Sequence, residues 1–199
     1  MTLVNLSGSL AILLGVFSIW PQVIRVYAKQ SVEGVSGLSY LIALTGTMMW
    51  FAYALNTRNL PLLLANTSTN IATIALMVLL VRKRALPLWL TTTVFALTVS
   101  YCGILSAMAP SAVGITGVIV STISILPQVW RAMRTEYLLG ISPSSYALLA
   151  ATSCAWFSHG ILVDDAIISA PNFVLAPSAL FISWKAWSSQ RRVAQVNVT

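Results

Sequence analysis

Charge is what this sequence has least of. Of 199 residues only 8% are Asp, Glu, Lys or Arg, four of them acidic, and there is a single histidine. A soluble domain carries about 25% charged residues, so a chain that is 58% hydrophobic with a mean hydropathy of +0.86 cannot cover itself in water. The scarcity also excludes chemistry. No HExxH, Walker A or GxGxxG pattern occurs, and one histidine cannot supply a Ser–His–acid set or a metal cluster. The chain is expected to be no enzyme and to hold neither metal nor cofactor. Its two cysteines, Cys102 and Cys154, lie inside apolar runs with no His or Cys near them, so they read as small packing residues. No basic stretch precedes the first apolar run, which is expected to be a retained helix rather than a cleaved leader.

What is present is a series of apolar runs. A membrane span needs about 20 mainly apolar residues, and breaking the chain at charges and turn residues yields seven: 4–27, 37–56, 60–81, 86–108, 112–132, 142–162 and 166–187. The expected fold class is therefore an all-α membrane protein. Eleven Lys and Arg give a net charge of +7, but they sit between the runs, which argues against nucleic acid. Arg25, Lys29, Arg82, Lys83, Arg84, Arg131, Arg134, Lys185, Arg191 and Arg192 fall on one side, and Arg58 on the other. The positive-inside rule then predicts the N-terminus outside and the C-terminus inside.

The chain also repeats itself. Shifted by 106 residues, 18–66 match 124–172 at thirteen positions without a gap, against about four for unrelated sequences of this composition. Pro21-Gln22-Val23 falls on Pro127-Gln128-Val129, Ser39-Tyr40 on Ser145-Tyr146, Trp50-Phe51 on Trp156-Phe157, and Asn66 on Asn172. Each copy holds three helices, so the unmatched helix near 86–108 is needed to restore the orientation of the second. Two parallel three-helix bundles joined by a linker helix (3+1+3) follow. The boundaries are 1–84 for the first repeat, 85–109 for the linker, 110–187 for the second repeat and 188–199 for a cytoplasmic tail. Small residues Ala11 and Gly15 align with Gly117 and Ser121, a spacing that lets helices approach closely in lipid.

Several paired positions carry candidate function. Pro21 and Pro127 each remove a helical hydrogen bond, freeing the carbonyl of Phe17 or Ile123. They are static kinks or hinges, and Gln22 or Gln128 could satisfy the freed carbonyl. Asn66 and Asn172 place amides inside apolar helices, which demands a partner or a wet cavity. Trp50 and Asn66 should share one depth, roughly 9 Å in at 1.5 Å per residue, and so should Trp156 and Asn172. Two indoles and two amides about a central axis would suit a sugar, offering faces to stack on and groups to hydrogen-bond hydroxyls. The alternative is an interhelical clasp and an interface anchor. Arg58 and Asp164 are equivalent, and with Asp165 they could latch an outer gate or be plain loop charges. Tyr53 aligns with His159, which could shuttle protons or line that gate. No carboxylate lies mid-span, which favours facilitated diffusion over pumping.

These residues resemble a known group. A PQ dipeptide late in the first helix, Trp and Asn sixteen residues apart, and a second copy after a linker helix are similar to the SWEET and SemiSWEET sugar transporters of the PQ-loop superfamily. The likeness covers about 5–187. In the second copy Trp156-Phe157-Ser158-His159-Gly160, Asp164 and Pro171-Asn172 resemble the family's W-x-x-Y-G, D and P-N pattern. The resemblance implies a sugar pocket of Trp50, Asn66, Trp156 and Asn172. It also implies hinges at Pro21 and Pro127 for alternating access, and gates above and below. It implies bidirectional diffusion of mono- or disaccharides across a lipid bilayer, most simply the plasma membrane, with homo-oligomerisation left open. The chain departs from the pattern at Ser39 and Ser145 (proline beside the Tyr in plant members), at Pro143, at His159 (usually Tyr) and at Ala65 (usually Pro). Other PQ-loop relatives suggest two alternatives: a proton-coupled exporter of amino acids such as cystine, with His159 as its proton site, and a non-transporting sorting receptor.

Overall fold

The fold was analysed on a computed structural model, which describes residues 2–30, 32, 37–134, 136, 138 and 141–196 without the side chains of Gln22, Arg25, Lys29, Pro127, Ala194 and Val196. The expected roles of the Gln22 side chain and the Pro127 ring lie outside the described residues. Seven helices and no strand occur among those described: α1 (Leu3–Lys29), α2 (Gly37–Thr57), α3 (Leu60–Arg82), α4 (Leu88–Met108), α5 (Pro110–Arg134), α6 (Pro143–Leu162) and α7 (Ala166–Val196). Six are long and apolar enough to span a membrane. The exception is α6, where Ser144, Ser145, Thr152, Ser153, Ser158 and His159 dilute twenty residues. Large apolar side chains such as Phe17, Trp89, Met108 and Trp184 are more than 60% exposed, which suits hydrocarbon rather than water.

The helices lie where the apolar runs predict them, with one extension. The segment expected as a tail from 188 continues α7 to Val196. Hydropathy falls after Trp187, but no Gly or Pro follows to stop the helix.

The hairpin turns explain themselves residue by residue. After α2, Arg58 adopts φ 54°, Arg58 N–H donates to the Leu55 carbonyl (3.4 Å) and Asn59 N–H to that of Ala54 (3.1 Å). After α6, Asp164 adopts φ 54°, and Asp164 and Asp165 N–H donate to Ile161 (3.2 Å) and Gly160 (2.8 Å). Both are Schellman motifs, which satisfy the orphan carbonyls of a helix end. The next residue then caps the following helix: Asn59 Oδ1 accepts from Leu62 N (3.0 Å), and Asp165 Oδ1 from Ile167 N (3.0 Å). Two- and three-residue connections of this kind fix α2 against α3 and α6 against α7.

The chain forms two compact units, residues 15–117 and residues 1–14 with 118–199. They cut across the sequence repeats, because α1 divides at Leu14–Gly15 and α5 at Gly117–Val118. In the first unit α2 packs on α3 and α4, around a core that includes Val23, Leu41, Leu44, Leu76 and Leu80. The later part of α1 is tied to α3 there, with Trp20 Nε1 donating to Ser68 Oγ (2.9 Å) and Tyr27 OH to the Ala75 carbonyl (2.7 Å). In the other unit α6 packs on α7, and Ile125 and Ala132 of α5 join Ala179, Ile182 and Ala186 of α7 in its core.

Candidate functional site

Each unit presents one tryptophan and one asparagine in the same register. Trp50 lies eight residues before the left-handed turn residue Arg58 and Asn66 eight after it; Trp156 and Asn172 flank Asp164 equally. At 1.5 Å per residue both members of a pair sit about 12 Å from their turn. The two amides also behave alike. Asn66 Nδ2 donates to the Leu62 carbonyl (2.9 Å) and Asn172 Nδ2 to that of Ile168 (2.8 Å). No further hydrogen bond of either amide is formed among the described residues. Each thus keeps an acceptor oxygen and a second N–H for a partner. A clasp between helices would spend those groups; a bond to the amide's own helix does not.

The indoles are set by their neighbours one turn on. Trp50 meets Tyr53 edge-on, with centroids 6.1 Å apart and planes at 81°, and Trp156 meets His159 at 5.7 Å and 78°. T-shaped pairs of this kind place ring edge on ring face. Tyr53 is 5% exposed and His159 0%, so both brace an indole from within their units. Trp50 is further confined by Gly117 on α5, where a Cβ would lie 3.1 Å from the indole Cε2.

His159 is not an open rim residue in this conformation. Ser7 Oγ of α1 stands 3.1 Å from its Nδ1 and also donates to the Val4 carbonyl (2.9 Å). The ring thereby ties the first turns of α1 to α6. Removing one partner of such a bond costs about 1 kcal/mol. Ser7→Ala and His159→Phe should each lower the melting temperature by about 2–4 °C, and the double variant by less than the two together. Additive losses in detergent-solubilised protein would show that the pair contributes nothing.

The other predicted residues fare differently. Pro21 lies inside α1, which runs through it unbroken. Gln128 Nε2 is buried and makes no hydrogen bond among the described residues, so it does not cap the Ile123 carbonyl. A helical side chain lies over the residues three and four before it, and Ile123 is five before Gln128. Arg58 and Asp164 owe their equivalence to the left-handed turn they share. Sequence reasoning overlooked Ser7, which has no repeat signal. It also overlooked Asn70, whose Oδ1 accepts from Thr47 Oγ1 at 2.6 Å and whose counterpart is Ala176.

A bundle of helices with apolar exteriors, satisfied turns and few polar groups inside is a multi-pass integral membrane protein. Residues 3–63 match the PQ loop repeat family. The chain is 26% identical over 205 residues to the bidirectional sugar transporter SWEET12 of Oryza sativa subsp. japonica, covering 92% of this chain and 67% of that one. It spans 57% of a second rice relative, bidirectional sugar transporter SWEET13. It is 35% identical over 65 residues to the sugar transporter SemiSWEET of Leptospira biflexa, covering 33% of this chain and 76% of that one. A solved structure of a eukaryotic SWEET transporter superposes with a TM-score of 0.75 at 17% identity, covering 96% of this chain and 100% of the other; that likeness concerns the fold. The chain belongs to the SWEET and SemiSWEET family, whose members are transporters and not enzymes.

Proposed function

We propose that this protein carries mono- or disaccharides across the plasma membrane by facilitated diffusion in both directions, through alternating access. The observation that carries this reading is the paired Trp and Asn register, with each amide keeping unused hydrogen-bonding groups. The relatives named as sugar transporters support it. In this reading Trp50, Asn66, Trp156 and Asn172 hold the sugar, indoles against its apolar faces and amides on its hydroxyls. Pro21 and Pro127 are the hinges, the first helped by Gln22. Tyr53, Arg58, His159 and Asp164 belong to the outer gate. The helices form two parallel triplets about the linker α4, with the N-terminus outside and the C-terminus inside. A proton-coupled exporter of amino acids would need a wet proton site, and the tie between buried His159 and Ser7 speaks against it.

The test is uptake of labelled glucose and sucrose by proteoliposomes. Wild type should equilibrate one of them faster than empty vesicles, with or without a pH gradient. Asn66→Ala and Asn172→Ala should each slow uptake about tenfold, the equivalent of one lost hydrogen bond to a hydroxyl. Uptake of both sugars no faster than in empty vesicles would overturn the assignment.

A further inference from the structure

Outside the proposed pocket, the unit of residues 15–117 carries a lateral groove bounded by α2, α3 and α4. It consists of two cavities, of about 530 and 450 Å³, that share Ile74 and Phe95. From Leu88 to Ser106 the groove follows α4 for about 27 Å at 1.5 Å per residue, nearly the ~30 Å of a bilayer's hydrocarbon. Each cavity is therefore about one leaflet deep. The two differ in their ends. The larger reaches Asn56 and Ser106, which satisfy one another through Asn56 Nδ2 and Ser106 Oγ at 3.0 Å. The smaller is apolar along Met77, Val78, Val81 and Leu88 and includes Arg82 in its lining. Its two hydroxyls, on Thr91 and Thr92, are turned to the carbonyls of Pro87 and Leu88, so nothing polar in its wall seeks a ligand.

Arg82 is the first of three consecutive cations, Arg82, Lys83 and Arg84, all exposed. A Schellman turn fixes how the chain leaves α3: Arg84 takes φ 57°, and Ala85 N–H donates to the Leu80 carbonyl at 2.9 Å. The C-terminal dipole of α3 offsets only about half a charge. Among the described residues of this unit there is no Asp or Glu at all. An apolar slot one leaflet deep that has Arg82 in its lining, with Lys83 and Arg84 beside it in sequence, matches a molecule that is apolar along its length and anionic at one end.

We propose that the smaller cavity is a binding site for an anionic phospholipid. One acyl chain lies along Val78, Val81 and Phe95, and the phosphate is held by Arg82, whose planar fork suits two phosphate oxygens. Lys83 and Arg84 add to the field that attracts it. The site is independent of what the transporter carries.

Native mass spectrometry of the full chain, released from nanodiscs of mixed phosphatidylglycerol and phosphatidylcholine, tests this directly. Wild type should retain phosphatidylglycerol about fivefold over phosphatidylcholine. Arg82→Gln should erase that preference. Val78→Trp, which fills the slot and leaves every charge in place, should abolish retention of either lipid, with both variants melting like wild type. Equal retention of the two lipids by wild type would overturn the site. So would a preference that survives Val78→Trp, which would mean only diffuse surface charge. A dimer that Val78→Trp disrupts, with no lipid retained, would mean that a second copy fills the groove instead.

Discussion

Gly160→Val should leave no folded protein: expressed in membranes and solubilised, it should aggregate where wild type elutes as a single species. The reason lies in the α6–α7 turn. A Cβ on Gly160 would collide with Ser169 Oγ, lie 2.8 Å from the Ser169 backbone nitrogen and 3.0 Å from the Asp165 carbonyl oxygen. Two of these three neighbours are backbone and cannot rotate away. The Gly160 carbonyl is also the acceptor that closes the Schellman motif with Asp165 N–H. Relief therefore means prising α7 from α6 and opening the turn that caps both helices. Overpacking commonly costs 1–3 kcal/mol and sometimes more; a clash with backbone at a fixed turn belongs at the high end. Gly160→Ala should already cost about 3 kcal/mol, although alanine alone would favour the helix by about 1 kcal/mol. The other unit supplies the control. Ala54 is the equivalent of Gly160 and is fully buried, so a methyl fits there, and Ala54→Gly should cost only about 1 kcal/mol. Gly160→Ala protein melting at the wild-type temperature would refute the account.

That contrast shows what the sequence carries and what it withholds. Helix positions were legible because lipid demands long apolar runs, and charges and turn residues interrupt them. The Trp and Asn register was legible because the copies align without a gap, so equal spacing from the turn follows from counting. The left-handed conformation of Arg58 and Asp164 was not. A helix end of that kind is normally announced by Gly or Asn, and a charged residue there gives no sign of it. Likewise α7 outruns its apolar segment, because membrane length and helix length are separate constraints. The division of α1 and α5 between units was also hidden. Small residues at Ala11, Gly15 and Gly117 signal a close approach without saying what approaches.

At Gly117 the answer is Trp50, and this yields the largest functional effect expected of any residue outside the proposed pocket. A Cβ at 117 would stand 3.1 Å from Trp50 Cε2 and 3.4 Å from Cδ2 and Nε1, closer than a methyl tolerates without movement of the ring. On another side the same indole meets Tyr53, which is buried and cannot give way. The indole is thus held between a glycine and a fixed ring. Gly117→Ala should displace it by a few tenths of an ångström and slow sugar uptake about twofold to threefold, well under 1 kcal/mol. Gly117→Leu places a branched side chain in the volume of the indole and forces Trp50 into another rotamer. Uptake should fall at least about tenfold, while the melting temperature drops by only a few degrees. The anchoring of this stretch survives, since Thr116 Oγ1 still meets Tyr101 OH at 2.8 Å. Lipid-facing Ile115→Leu should change neither quantity. The decisive comparison is in a Trp50→Ala background, where adding Gly117→Leu should cause no further loss, because the group it displaces is gone. If the two losses simply multiply, Gly117 acts through something other than the indole. If Gly117→Leu transports at the wild-type rate, the placement of Trp50 does not matter, and Trp50 does not belong in the sugar pocket.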